Sequence, residues 1–148
     1  MDSSWLIFYQ DYTSYPLKTS KSLINLIGKE LARDVKRLTL QLYKEGLEYA
    51  KTREIIIADA KFEFGILGDK LILIDEVFTP DSSRFWPKGI YKPGQDQPSF
   101  DKQIVRDFLE GSGWNKTPPG PVLPQVVVEK TTAAYMGAYE RLTGRKLL

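Results

Sequence analysis

The 148-residue chain carries 21 basic and 19 acidic residues, a net charge of +2, so no strong field marks it for a polyanionic partner. It has neither cysteine nor histidine, which excludes disulfides, thiolate catalysis, cysteine- or histidine-ligated zinc and imidazole acid-base chemistry. Carboxylates, lysines, arginines and hydroxyls are left to carry any chemistry, in a chain of ordinary globular composition at 42% hydrophobic and 27% charged.

Residues 1–21 are rich in aromatics, Ser and Thr, are interrupted by Pro16 and show no sustained period, which predicts an irregular lead-in. The apolar start at Trp5 to Tyr9 has no basic residue before it, as a secretory signal would, and no run reaches the roughly 20 apolar residues that span a bilayer. A cytoplasmic address with no membrane partner is the expectation. From Ser22, a plausible N-cap, Ile24, Ile27, Leu31, Val35, Leu38 and Leu42 recur at three- and four-residue steps. They predict one long amphipathic helix to about Lys51, with Gly46 as its weak point.

Ile55, Ile56 and Ile57 lead into a stretch from Ala58 to Gly65 in which polar and aromatic residues alternate, a strand with two unlike faces. A second strand, Leu71 to Val77, follows the turn residues Gly68 and Asp69, so an antiparallel hairpin is predicted. Thr79 to Ser99 holds four prolines and two glycines, too many breakers for regular structure and long enough to suggest a functional loop. Ser99 or Asp101 is placed to cap a helix carrying Ile104, Val105, Phe108 and Leu109 and stopped by Gly111. A last helix carries Val127, Thr131, Tyr135 and Leu142 and ends at Gly144. The sum is an α+β domain, residues 22–148, with an antiparallel hairpin or small sheet packed by three helices.

Period two puts Lys61 and Glu63 on one strand face and Phe62 and Phe64 on the other. A three-residue turn would set Glu63 opposite Asp75; a two-residue turn would set it opposite Ile74. Two adjacent carboxylates repel unless a cation joins them, and magnesium held by one or two carboxylates plus nucleotide phosphates is one solution. A solvated sheet face with cross-strand ion pairs is the other. In Thr79 to Trp86, Arg84 with neighbouring hydroxyls reads either as a phosphate or carboxylate binder or as an exposed arginine against Trp86. Lys88 to Lys92, basic and aromatic, reads as a packed loop in preference to a nucleic-acid contact.

The strings IIIADAKFEFG (55–65), LILIDEVFTPDSSRFW (71–86), QPSFDKQIVRDFLE (97–110), GWNKTPPGP (113–121) and YERLTG (139–144) resemble, in order and spacing, the C-terminal half of SAICAR synthetases. The resemblance runs from about Ser22 to the end and finds no counterpart of the family's N-terminal part, which supplies a Gly-rich loop over ATP. It implies a two-part α/β fold related to kinase-like and ATP-grasp nucleotide binders. It also implies the ATP-dependent ligation of L-aspartate to carboxyaminoimidazole ribotide, in de novo purine biosynthesis. The implied cofactors are ATP and Mg2+, and the implied partners are those small molecules and either an N-terminal half or a second copy, not nucleic acid. By position, Glu63 and Asp75 resemble the family's metal and ATP-phosphate carboxylates. Asp59 and Lys61 resemble the catalytic pair lining the ribotide and phosphate side of the cleft, Lys61 also touching the nucleotide. Arg84, with Asp81 and Ser83, resembles the ribotide anchor. Ala60 stands where the family commonly has Thr. The resemblance leaves open a catalytically inactive nucleotide- or ribotide-binding remnant, or a partner subunit.

Overall fold

Thirteen consecutive residues, Ile55–Leu67, form the longest strand of the computed structural model, and every other strand pairs with it. The structure describes residues 5–10, 18–100 and 102–147. In chain order the elements are β1 (Trp5–Gln10), α1 (Lys18–Ile27), α2 (Lys29–Thr52), β2 (Ile55–Leu67), β3 (Lys70–Ile74) and β4 (Ser83–Pro87). A 3-10 turn (Lys88–Ile90), α3 (Gln103–Gly111) and α4 (Gln125–Thr143) complete the chain. The class is α+β, as expected, with an antiparallel sheet of four strands.

The register shows how the strands share β2. Ala60 pairs with Gln10 of β1 and Ser83 of β4, and Glu63 pairs with Ile7 of β1 and Ile74 of β3. β1 therefore runs along one edge, while β3 and β4 follow one another along the opposite edge. Between them, at Lys61 and Phe62, the chain leaves the sheet through residues 75–82 and returns; Lys61 N donates to Ser82 O at 2.8 Å across this opening.

The strand carries a bulge that its sequence requires. Ile57 pairs with Phe85 and Asp59 with Arg84, so Ala58 is an extra residue on β2. An extra residue reverses the alternation: Ile55 and Ile57 are buried before it, and Ala60, Phe62 and Phe64 after it. Without the bulge, the face that buries Ile55 and Ile57 would carry Asp59, Lys61 and Glu63. Helix α2 covers the apolar face and joins Val35, Tyr43 and Ala50 to Ile55, Ile57, Phe62, Phe64 and Phe85 in one core. Burying each of those large side chains stabilises the fold by roughly 1.5–3 kcal/mol. Tyr43 also donates its hydroxyl to Ile57 O at 2.8 Å, supplying a partner to a carbonyl at the bulge.

Several sequence expectations are corrected. The lead-in expected to be irregular contains β1 and the start of α1, while residues 1–4 and 11–17, with Pro16, lie outside the described residues. The long helix is two helices: Gly28, at φ 83, turns the axis while the ladder continues through Gly28 N to Ile24 O and Ala32 N to Gly28 O. Ser22 is thus inside α1 and not its cap, and among the described residues four α-helices replace the three expected. The breaker-rich stretch from Thr79 holds β4 and the 3-10 turn, because Pro87 stands at the strand end, where no ladder donor is needed. Ser99 does not cap α3; its hydroxyl donates to Phe85 O. Asp101 lies outside the described residues. Tyr91 stacks on Trp86 with centroids 5.7 Å apart, but Lys88 to Lys92 are all exposed, so the loop is anchored by one ring and is not the packed loop expected.

Two contacts lock the remaining pieces to the core. Tyr49 of α2 donates to Leu142 O at 2.6 Å, fastening the end of α4, whose Gly144 closes the helix at φ 70. Phe78 packs its ring over Gly46 and edge-on to Phe62, centroids 5.2 Å apart. A Cβ at residue 46 would fall within 2.6 Å of Phe78 Cε2, so the helix tolerates a poor helix former to admit the ring. We expect Gly46→Ala, despite its better helix propensity, to lower stability by roughly 1–3 kcal/mol through overpacking, as read by urea denaturation. Tyr43→Phe should lower stability by roughly 1 kcal/mol through the lost hydrogen bond at the bulge.

Candidate functional site

Alternation after the bulge presents Asp59, Lys61 and Glu63 on the face opposite the core, where β3 and β4 part. The hairpin turn is the two-residue Gly68–Asp69, with Leu67 paired to Lys70, so Glu63 lies opposite Ile74 and not opposite Asp75. β3 ends at Ile74, short of the predicted Val77, because Asp75 takes a left-handed backbone at φ 62 and turns the chain out of the sheet. Lys61 nonetheless brings the carboxylates together. Its Nζ lies 2.7 Å from Glu63 Oε1 and 3.9 Å from Asp75 Oδ2.

The turn that follows is built from hydroxyls. Ser82 N and Ser83 N donate to Thr79 O at 3.2 and 2.9 Å, and the Thr79 and Ser82 hydroxyls lie 3.2 Å apart. Thr79 Oγ1 donates to Glu76, and Lys102 forms an ion pair with Asp81. On β4, Arg84 grips Asp59 in a fork: Nε to Oδ1 and Nη2 to Oδ2, both at 2.9 Å, with the Arg84 backbone N–H on Oδ1 at 3.1 Å. Ser83 Oγ is buried and has no hydrogen-bond partner among the described residues.

The structure thus places Lys61, Glu63 and Asp75 in one cluster, Asp59 with Arg84 on the adjoining strand pair, Asp81 in the returning turn and Ser83 at the start of β4. Arg84 faces Asp59, whereas Trp86, its sequence-level stacking partner, stacks on Tyr91. Thr79 belongs to the hydroxyl-rich stretch the sequence marks, whereas Glu76 and Lys102 carry no role in the sequence reading. Their only signal was proximity to the acidic strand end, and for Lys102 there was none, since it comes from beyond the breaker-rich loop.

Charge organises the cluster. Glu63, Asp75, Glu76 and Asp81 supply four carboxylates against the ammonium groups of Lys61 and Lys102, leaving two negative charges in excess. Lys61 is held above the ordinary lysine range, first by its hydrogen bond to Glu63, against desolvation, and then by attraction to Glu63, Asp75 and Glu76. Asp81 is held below the ordinary carboxylate range, first by its hydrogen bond to Lys102 and against partial desolvation. Among the described residues no three carboxylates converge as a preformed metal cage.

These directions fix the sign of the pH response. A depressed carboxyl contributes stability above its unfolded value and loses it as pH falls through the folded one; the raised lysine contributes below its unfolded value and loses it as pH rises through the folded one. The Asp81–Lys102 pair is about half exposed, so the effect is small. We expect Lys102→Met to reduce stability at neutral pH and the deficit to shrink once acid titrates Asp81. Urea unfolding of both chains at a series of pH values measures it.

Comparison with known proteins supports one family. The model of the SAICAR synthetase family matches residues 14–121. Phosphoribosylaminoimidazole-succinocarboxamide synthase of Methylobacillus flagellatus is 59% identical over 128 residues, 86% of this chain and 43% of that protein. The Geobacter sulfurreducens enzyme of the same name is 56% identical over 122 residues, 82% of this chain and 41% of its own length. Among solved structures, SAICAR-synthase from Saccharomyces cerevisiae complexed with SAICAR superimposes with a TM-score of 0.78 at 47% identity, over 86% of this chain and 43% of that one. The chain therefore spans less than half the length of these three relatives, and within that span it belongs to the SAICAR synthetase family.

Proposed function

We propose that this chain forms the carboxylate and lysine wall of an ATP-dependent carbon-nitrogen ligase, which joins L-aspartate to carboxyaminoimidazole ribotide in de novo purine biosynthesis. The observation that carries the reading is the convergence of Glu63 and Asp75 on Lys61 at the opening between β3 and β4, beside Arg84. The share of the relatives that this chain does not span would supply the Gly-rich loop over the nucleotide, from an N-terminal part. A cytoplasmic address belongs to the same reading.

The residues suit these roles by their chemistry. Glu63 and Asp75 are hard oxygen donors in a cluster with two excess negative charges, the environment in which Mg2+ is held by one or two carboxylates together with nucleotide phosphates. When bound, the metal would neutralise charge on the transferring phosphoryl group. Lys61, kept protonated far above neutral pH, brings a fixed positive charge to the phosphates and to the carboxyl being activated. Arg84, its fork closed on Asp59, would bring positive charge to the side of the site where the ribotide lies, with Ser83 beside it on β4 and Asp81 in the preceding turn. Asp59 and Lys61 stand at the reacting side. The ATP γ-phosphoryl group would pass to the ribotide carboxylate, and the aspartate amine would displace phosphate from that acyl phosphate to form the amide. Positioning and charge neutralisation supply most of the catalysis in such transfers, so the absence of histidine is no obstacle.

The test is a mass-spectrometric assay of the purified chain with ATP, magnesium, aspartate and the ribotide, with and without a separately expressed N-terminal half. Succinocarboxamide product in either mixture supports the reading, and none in both overturns it. In titration calorimetry, Glu63→Gln should weaken magnesium-nucleotide binding roughly tenfold or more; unchanged affinity would remove Glu63 from the metal site.

A further inference from the structure

At Lys61 and Phe62 neither β3 nor β4 lies in register beside β2, because the β3 ladder starts at Glu63 and the β4 ladder ends at Ala60. The returning turn takes the place of a strand there, and Lys61 N donates to Ser82 O at 2.8 Å. The backbone of the residue whose ammonium meets Glu63 and Asp75 is thus held on this edge by a carbonyl of the turn.

Two hydroxyls keep the turn closed. Thr79 Oγ1 has a single proton, and it goes to Glu76. Toward Ser82 it can then only accept, from Ser82 N at 3.3 Å and from Ser82 Oγ at 3.2 Å. Ser82 Oγ in return accepts from Thr79 N at 3.3 Å, and the Ser82 side chain is buried. One hydroxyl therefore joins Glu76, which attracts the Lys61 ammonium, to Ser82, which holds the Lys61 backbone.

We propose that Thr79 is a positioning residue for Lys61: its hydroxyl clasps Glu76 and Ser82 together, so that Ser82 O stays on Lys61 N–H and the ammonium is held ready for the phosphates of a nucleotide. Orientation obtained in advance reduces the ordering cost of binding. The neighbouring Phe78, seated at Gly46, anchors the other end of the same segment in the core. The inference rests on the reading of Lys61 as a phosphate contact, and it adds a residue that acts only through Lys61.

Other roles for Thr79 give different results. If it only stabilised the turn, Thr79→Val would lower stability and leave affinity unchanged while the protein remained folded. If its hydroxyl met the nucleotide itself, Thr79→Val would weaken binding and leave the Lys61 N–H as protected as before. Positioning predicts both weaker binding and a less protected Lys61 N–H.

The experiment has two readouts on the full chain. Hydrogen exchange by NMR follows the Lys61 amide, with the amides of α2 as the internal reference for the fold. Calorimetry with magnesium-ADP as the probe measures affinity for wild type, Thr79→Val and Thr79→Ser. We expect the Lys61 amide of Thr79→Val to exchange several-fold faster relative to α2 and binding to weaken roughly tenfold, a coupling within the range for residues sharing one network. Thr79→Ser, which keeps the hydroxyl, should restore both. An unchanged Lys61 amide, unchanged affinity in folded Thr79→Val, or no recovery in Thr79→Ser would each overturn the proposal. If Thr79→Val does not fold, Ser82→Ala, which opens the other side of the clasp, gives the same comparison. If the wild type binds no magnesium-ADP, the nucleotide reading falls, and the Lys61 amide still decides whether Thr79 holds Lys61.

Discussion

The extra residue at Ala58 governs the architecture because a strand can show only one alternation at a time. Apolar residues on β2 occupy odd positions before it, Ile55 and Ile57, and even positions after it, Ala60, Phe62 and Phe64. The bulge reconciles the two halves, so that all five face α2 while Asp59, Lys61 and Glu63 face away. An uninterrupted strand would have to bury three charges or expose two phenylalanines, and either costs more than the one displaced residue. Tyr43, reaching from the core to the Ile57 carbonyl, gives this irregularity a partner within the packed interior.

The polar face depends in turn on the core. Asp75 and Phe78 both adopt left-handed backbone conformations, at φ 62 and φ 53. Aspartate tolerates that region, but phenylalanine does so at a cost of roughly 1–2 kcal/mol. The ring of Phe78, set into the notch at Gly46 and against Phe62, offsets it. A packing contact on one side of the chain thereby fixes the segment that places Asp75, Glu76 and Asp81 on the other. Rigid support of this kind is what a site working by charge placement needs.

The apolar surface is distributed differently from the polar cluster. α3, α4 and the segments beside them enclose an open hollow of about 520 Å³ whose lining includes Val105, Leu123, Val128, Tyr135, Met136 and Tyr139. It shares no lining residue with the charged cluster. Leu26, Leu67 and Val122 are each at least 70% exposed on other parts of the chain. The chain spans 43% of a relative to which it is 59% identical, and these exposed apolar side chains lie apart from its well-formed core.

The sequence by itself determined β2, the start of β3, α3 and α4 as elements, the α+β class, the chemistry left by the lack of histidine and cysteine, and, through ordered motifs, the family. These rest on local pattern: alternation along β2, three- and four-residue steps along α2, and Gly144 after α4. What it could not determine depends on contacts distant in the chain. Glu63 faces Asp75 or Ile74 according to whether the turn has three residues or two, a choice that leaves the local sequence unchanged. Gly46 reads as a flaw in a helix until Phe78, thirty-two residues later, fills its notch. Asp59 and Arg84, twenty-five residues apart, form a fork only because a bulge aligns their strands, and Lys102 reaches Asp81 only because the breaker-rich loop folds back. Pattern is a property of neighbours, whereas register, notches and ion pairs are settled by the free energy of the whole packed chain.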